Sequence, residues 1–378
     1  MLKIFVTGDN HIGKNYSSHE KAEKLASSRI DAFRNMVDKA NAENCDLFVI
    51  TGDLFEKRTG IAKKDIIRLV KILADFTETV VILPGNHDFY DEDNSLWKNF
   101  QDIVLSDGGS NILLLTEYRT YPLAIGEEKV ILYPALCTSR HSDKNNLDWI
   151  KNETIVSNGT YHIGIAHGAV EGETIDSEGK YFLMTRKELQ SIPVDLWLIG
   201  HTHVPFPHNL TEEYTLCQDK IFNAGTHIQT DVNNNTEGVC FLIKTDNDKK
   251  IFAKKYISGN LRFCRKTVTL YPNEMEHILS RELKALKKDT VADITLQGAV
   301  SDEEYEMRTD IFEEYRSRFM EFLCNDSDLS RQITKERIEK EYAETSFIAK
   351  FLTGLLDNPK EVQLAYDMVQ KLKDGGKK

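Results

Sequence analysis

The chain has 378 residues, 40% of them hydrophobic and 29% charged, with a formal net charge of −12. That is a soluble globular composition long enough for two or three domains, with no apolar run near the roughly 20 residues that span a bilayer. The acidic balance excludes attraction of nucleic acid by the molecule as a whole; such a partner would need a local basic patch, metal ions or a second subunit.

Apolar, β-branched runs of strand length recur at 3–7, 47–51, 80–83, 130–133, 162–166, 196–199, 221–223, 239–243 and 251–257. Between the early ones, Ile30, Phe33, Val37 and Ala40, then Ile66, Leu69, Ile72 and Leu73, stand at helical spacing. Strand–helix–strand order predicts an α/β domain, and the close-set later strands predict a mixed sheet or a second layer. Between Lys244 and Lys266 there are eight Lys or Arg against two acids. This stretch reads either as a solvated hairpin guarding an edge strand or as a surface that tracks phosphates. In the second case Lys249, Lys250, Lys254, Lys255 and Arg262 are the DNA-binding candidates.

Beyond about residue 265, strands at 266–270 and 290–296 flank a helix at 273–286. Long helices are then expected to dominate. Tyr305, Phe312 and Phe319 are seven apart, with Tyr315 and Phe322 interleaved, in one apolar stripe. A helix after Thr334 would carry Ile338, Tyr342, Ile348, Leu352 and Leu355 on one side. Asn358-Pro359-Lys360-Glu361 supplies the cap, proline and acid of a last helix, with Gly375-Gly376 as its stop. The aromatic-rich tail reads as core or as a docking surface. The opening MLKIFVTGD turns polar too soon for a signal peptide. Six cysteines without a CxxC, most of them in apolar runs, read as free thiols, and the cytoplasm is the expected compartment.

Five apolar runs each end in potential ligands: Asp9 and His11, Asp53, Asn86-His87-Asp88, His167, and His201 and His203. Each alone has an ordinary reading as a turn, a polar loop or a satisfied core histidine. Together, at strand ends and in order, they converge on the edge where open α/β sheets bind ligands. Five of the eleven histidines lie in these motifs. Imidazoles and oxygens without thiolates suit Mn²⁺, Fe or Zn²⁺ better than Ca²⁺ or a structural zinc. Even seven of these exceed one coordination sphere, so two ions sharing a bridge are expected. Asp53, the one carboxylate of its segment, is the bridging candidate.

The ordered set D-x-H, GD, GNHD, H, GHxH resembles the signature of calcineurin-like metallophosphoesterases. Arg29-Ile-Asp-Ala-Phe33, the run from Cys45 to Glu56 and the short Asp9-Asn-His-Ile-Gly13 motif are similar to SbcD-type DNA repair exonucleases, the nuclease subunits of break-repair complexes. The resemblance is specific over 1–265 and looser beyond. It implies a four-layer α/β sandwich of two mixed sheets flanked by helices, with a small α/β cap at 266–329 that contacts DNA and a helical tail at 330–378. It implies two divalent ions, Mn²⁺ first, with Mg²⁺, Fe or Zn²⁺ as alternatives. Asp9, His11, Asp53 and His203 would hold one, and Asp53, Asn86, His167 and His201 the other. His87 would face the phosphate and Asp88 would orient His87. The chain departs from the pattern at Gly8, where Ser is frequent, and at Asn223–His227, where Pro-Gly-Ser is more usual; neither change removes a ligand. The implied activity is 3'–5' exonuclease or endonuclease cleavage of DNA in end processing. The implied partners are an SMC-like ATPase of the SbcC type, docked by the tail helices, and a second copy of the chain. The alternatives within the same chemistry are a protein phosphatase, a cyclic-nucleotide phosphodiesterase or a nuclease of anti-phage defence.

Overall fold

In the computed structural model, described for residues 1–93, 95–156, 159–173, 176, 179–234 and 236–375, the chain forms two compact units, Met1–Arg262 and Phe263–Lys378. The first begins with β1 (Lys3–Thr7), α1 (Ala22–Ala42), β2 (Leu47–Ile50), α2 (Lys63–Ala74), β3 (Thr79–Ile82), α3 (Ser95–Ser106) and β4 (Ile112–Leu114). It continues through β5 (Tyr121–Ile125), β6 (Glu128–Ala135), α4 (Asp148–Lys151), β7 (Tyr161–His167), α5 (Arg186–Ser191) and β8 (Leu196–Gly200). It closes with β9 (Thr215–Cys217), β10 (Ile221–Asn223), β11 (Val239–Thr245) and β12 (Ile251–Ile257).

These strands build two sheets. A seven-stranded sheet runs β4-β3-β2-β1-β11-β12-β9 and a five-stranded sheet runs β10-β8-β7-β6-β5. Strands β1 to β4 are mutually parallel, whereas β11 runs antiparallel to β1. The second sheet is parallel except for the β5–β6 hairpin.

Period-2 alternation divides each strand between two cores. Phe5, Phe48 and Ile50 point to α1, α2 and α3, packing with Phe33, Leu69 and Trp97. Ile4, Val6, Leu47 and Val49 point the other way and meet Ile163, Ile165, Leu196 and Leu198 of the second sheet. The outer face of that sheet, with Trp197 and Ile199, is covered by Leu147, Ile150 and Leu189 on and beside α4 and α5. Both faces of the central strands are therefore buried, which is why they read as unbroken apolar runs. The result is the helix–sheet–sheet–helix sandwich of the α/β class. The six cysteines carry free thiols, and among the described residues no helix is long and apolar enough to cross a membrane.

The second unit contains β13 (Arg262–Leu270, starting at the boundary), α6 (Met275–Leu283), β14 (Thr290–Val300), α7 (Asp302–Arg318) and β15 (Glu321–Arg331). After these come α8 (Lys335–Glu341), α9 (Phe347–Thr353) and α10 (Pro359–Gly375). The three strands make one sheet in the order β13-β14-β15, with α6 and α7 supplying Ile278, Leu279 and Phe312 to its core.

The expected stripe from Tyr305 to Phe322 is not one helix. Helix α7 starts at a capping box in which Ser301 and Glu304 satisfy each other's backbone amides, and it stops at Arg318. Phe322 belongs to β15, where it still packs on Phe312 and Tyr315 across a strand–helix contact. Strand β15 was hidden because Asn325-Asp326-Ser327-Asp328 reads as a turn. It holds a bulge against β14, and the Asn325 side chain accepts the Ser327 amide there. The helix expected after Thr334 is two short ones, each capped by a hydroxyl, Thr334 on the Arg337 amide and Ser346 on the Ala349 amide. With α10 they enclose a separate small core around Ile338, Leu352 and Tyr366. Of the expected stop at Gly375-Gly376, Gly376 lies outside the described residues.

Candidate metal centre

The side chains that could hold metal leave the carboxyl ends of β1, β2, β3, β7 and β8. The seven-stranded sheet brings Asp9, His11, Asp53 and Asn86, and the five-stranded sheet brings His167, His201 and His203. The chain turns sharply just after β1, β2 and β8. Asp9, His11, Asp53, His201 and His203 all have positive φ, between 48° and 111°. Non-glycine residues rarely adopt this region, and surrounding structure must hold them there. Backbone bonds do so. The Asp9 amide donates to Gly52 O at 3.1 Å, the His11 amide to Asp53 O at 2.9 Å and the Ile12 amide to Leu54 O at 2.9 Å.

A buried arginine adds a second restraint. Arg29 of α1 is fully buried and donates from Nε and Nη2 to the Asn10 carbonyl at 3.0 and 2.6 Å, gripping the turn between Asp9 and His11. Close approach needs glycine at Gly85, where a Cβ would fall 2.2 Å from Asp53 Oδ1. Gly8 is explained in the same way, since a Cβ there would meet Thr51 Oγ1 at 2.3 Å.

Two groups of donors result. In one, Asn86 Oδ1 lies 3.0 Å from His167 Nε2 and 3.1 Å from His201 Nδ1, and Asp53 Oδ2 lies 3.4 Å from His167 Nε2. In the other, His11 Nε2 and His203 Nε2 face each other at 2.9 Å. Asp53 Oδ2 is 3.9 Å from the first ring and Asp9 Oδ1 is 4.0 Å from the second. Asp53 belongs to both groups. Asp9 with His11 and His203, and Asp9 with Asp53 and His167, each place three ligand atoms within 4.8 Å of one another.

The donors are also aimed. His167 Nδ1 donates to Thr51 O at 2.9 Å, which turns Nε2 to the inner side. Asn86 Nδ2 donates to Arg140 O at 3.3 Å, which turns its oxygen inward. Buried and half-buried imidazole and carboxylate atoms converging at 3–4 Å, with no thiolate among them, fit divalent cations of the Mn²⁺, Fe or Zn²⁺ kind.

The electrostatics agree with a site built for positive charge. Burial pushes the Asp53 carboxyl up, but His167, His11 and His87 outweigh it and hold the group well below its ordinary range. Burial lowers His167, and Asp53 overcomes this and raises it to about 9. Burial and the neighbouring His167 push His201 down to about 4, and burial lowers His203. One imidazole thus carries a proton where a cation would stand.

His87 and Asp88 behave differently. The His87 amide donates to Asp53 Oδ1 at 2.8 Å, and its half-buried ring lies edge-on to His11 with centroids 4.9 Å apart. Its atoms also fall within ligand distance of His11 and Asp53. Asp88 does not orient His87. Its carboxylate accepts the Gly85 amide at 2.7 Å and the Phe55 amide at 2.9 Å, tying the third motif to the second. Burial and the nearby Asp53 raise it to about 7. The His87 ring is held instead by the Glu56 carbonyl, 2.9 Å from Nδ1.

The lysines expected on DNA are not gathered here. Strand β11 pairs antiparallel with β1, Lys3 opposite Lys244 and Val6 opposite Phe241. Lys249 and Lys250 therefore sit at the end of the sheet away from the cluster. Lys249 donates to Asp195 and Thr160 O, Lys250 pairs with Asp248, and Lys254 pairs with Glu43 at 2.9 Å. The backbone amide of Lys255 is tied to Thr211 O. Arg262 donates to the Gly259 and Leu261 carbonyls. The basic run is a hairpin whose charges are largely spent on local partners.

A different basic stretch was passed over. Lys57, Arg58, Lys63 and Lys64 follow Glu56 directly, and Ile61 between them lies against Gly13 of the first motif. Counting charge in the windows after each motif would have found it.

Solved structures with related chain traces include TT1561 of Thermus thermophilus at 10% identity, covering 68% of this chain and 99% of that one with a TM-score of 0.40. A dimetal phosphatase from Danio rerio, LOC 393393, matches at 11% identity over 68% of this chain and 99% of its own, with a TM-score of 0.38. The nuclease MPE of Pseudomonas putida matches at 17% identity over 48% of this chain and 73% of its own, with a TM-score of 0.22. Residues 2–205, which carry every side chain of the centre, match the family model of calcineurin-like phosphoesterases over more than half of the chain, and the protein belongs to that family of metal-dependent phosphoester hydrolases.

Proposed function

We propose that the protein is a two-metal DNA nuclease that hydrolyses phosphodiester bonds at DNA ends. The observation that carries this reading is the basic fringe beside the centre in a chain of net charge −12. Lys57 is exposed on the loop that reaches Gly13 through Ile61, and Lys63 and Lys64 are exposed on the first turn of α2. Arg58, which pairs with Asp91, stacks on Phe89 with its guanidinium carbon 4.1 Å from the ring centroid. A polyanion that extends past the scissile phosphate gives these cations work, whereas a small phosphoester does not.

Asp9, His11, His203 and Asp53 would hold one ion, and Asp53, Asn86, His167 and His201 the other, with Mn²⁺ the first choice. Bound there, the ions supply Lewis acidity toward a phosphoryl oxygen and activation of water at neutral pH. His87 is half-buried and so reachable by substrate. With Nδ1 fixed on the Glu56 carbonyl, a second proton at Nε2 can bond a phosphoryl oxygen or pass to the leaving sugar oxygen. The second unit carries an exposed groove of about 750 Å³ between α9 and α10, lined by Phe347, Phe351, Leu364 and Met368. That apolar surface supports docking of helices from an SMC-like ATPase.

Mn²⁺-dependent digestion of end-labelled duplex, with ends free and blocked, against a cyclic nucleotide and a phosphopeptide, tests the reading. Cleavage of DNA is expected, lost or retained with blocked ends according to exo- or endonuclease action. Turnover of the cyclic nucleotide or phosphopeptide with DNA left intact would overturn it. Replacing Lys57, Lys63 and Lys64 together by Gln should raise KM for DNA and leave a small phosphodiester unaffected.

A further inference from the structure

We propose that Glu56 is a positioning residue that sets the tautomers of two imidazoles at once, His11 through its carboxylate and His87 through its main-chain carbonyl. This rests on reading the cluster as a metal centre. The backbone after β2 runs beside the first motif, bonded from His11 N to Asp53 O, from Ile12 N to Leu54 O and from Glu56 N back to Ile12 O at 3.0 Å. Glu56 is thereby pinned next to both rings. Its Oε2 lies 3.0 Å from His11 Nδ1, an ion-pair contact without hydrogen-bond geometry. Its carbonyl oxygen lies 2.9 Å from His87 Nδ1.

A carbonyl and a carboxylate accept and do not donate. The bond to the carbonyl places the His87 proton on Nδ1, and the carboxylate charge 3.0 Å away favours a proton on His11 Nδ1. For His11 this bares Nε2, the atom that faces His203 Nε2 at 2.9 Å. Which nitrogen of a histidine binds metal is set by the bond that the other one makes. Without the carboxylate, His11 is free to place its proton on Nε2, where it blocks coordination. His87 keeps its acceptor whatever the side chain at position 56, because that acceptor is main chain. The two effects can therefore be separated. The Glu56 carboxylate is about one quarter exposed, so its removal leaves no buried void.

The experiment uses the full chain, metal-free and then titrated with Mn²⁺ alone. Long-range ¹H–¹⁵N correlation of the histidine rings in the metal-free protein should show His11 and His87 both protonated at Nδ1. In Glu56→Ala, His11 should move to the Nε2-protonated form or a mixture, while His87 is unchanged. By calorimetry Glu56→Ala should bind one of two Mn²⁺ ions about 10–100-fold more weakly, the range seen for partners of ligating histidines. Glu56→Gln, which keeps an acceptor oxygen, should restore most of that affinity. An unchanged His11 tautomer in Glu56→Ala, or full affinity for both ions, would overturn the proposal. If the wild-type chain bound no metal, the reading of the centre would fail instead, and the ring spectra of the metal-free protein would still decide the role of Glu56.

Discussion

Asp53 shows how much one residue is asked to do. Its Oδ1 accepts the His87 amide, its Oδ2 lies near both His167 and His11, and the strand end that carries it is bonded to the first motif. Asp53→Asn removes the charge that both donor groups share, so metal analysis should find both ions lost. His87→Ala leaves those groups intact. It should keep two ions and lose about 10²–10⁴-fold in turnover, the usual worth of general acid–base help; near-wild-type cleavage would remove His87 from the chemistry. The His167 proton sets a pH dependence. A folded value of about 9, above the ordinary 6.5, adds stability to the metal-free protein that is complete below pH 6.5 and lost as pH rises through 9. An ion must displace that proton, so Mn²⁺ affinity should climb over the same interval. Melting of the chelator-treated protein and Mn²⁺ titrations at steps across pH 6.5–9 check both, and a flat affinity profile would contradict the assignment. The histidines and acids of the centre were legible because each ends an apolar run. The parts played by Asp88, Glu56 and Arg29 were not, because they act on backbone amides and carbonyls that sequence does not display.

At the scale of elements, the strands that feed the centre were readable from their β-branched runs, and β1, β10 and β12 begin and end where those runs do. The short or polar strands β4, β5, β9 and β15 were not, since pairing rather than composition makes them strands. The corners after the strands account for the departure at Gly8. That residue and Thr51 share one space across β1 and β2, because a Cβ at Gly8 would sit 2.3 Å from Thr51 Oγ1 and 3.5 Å from Thr51 Cβ. Gly8→Ala should therefore cost about 1–3 kcal/mol by overpacking. Adding Thr51→Ala should return much of that loss, so the double variant should be more stable than the two single losses sum to. Thermal or urea unfolding of the four proteins measures the coupling. Additive losses would show that the two positions do not compete.

At the scale of the whole chain, all candidate ligands lie in the first unit and the exposed apolar groove in the second. A chain ended at Gln332 keeps β15 and the sheet it completes, and removes α8, α9 and α10 with their separate core. It should retain Mn²⁺-dependent hydrolysis of a small phosphodiester and fail to co-purify with the SMC-like ATPase proposed as its partner. Co-purification at full yield would move the docking surface elsewhere. An end at Asp328 would cut into β15 and confuse the two effects.

The donors come from both sheets of the sandwich, and His11 and His203, whose ring nitrogens nearly touch, stand 192 residues apart in sequence. The centre therefore does not exist in a chain that stops short of His203, or in an intermediate whose two sheets have not met. Residues of both sheets would hold the ions, so a bound ion would fasten one sheet to the other like a clasp. A nascent or unfolding copy lacks the assembled donor set, and phosphoester hydrolysis has to wait until the sandwich has closed.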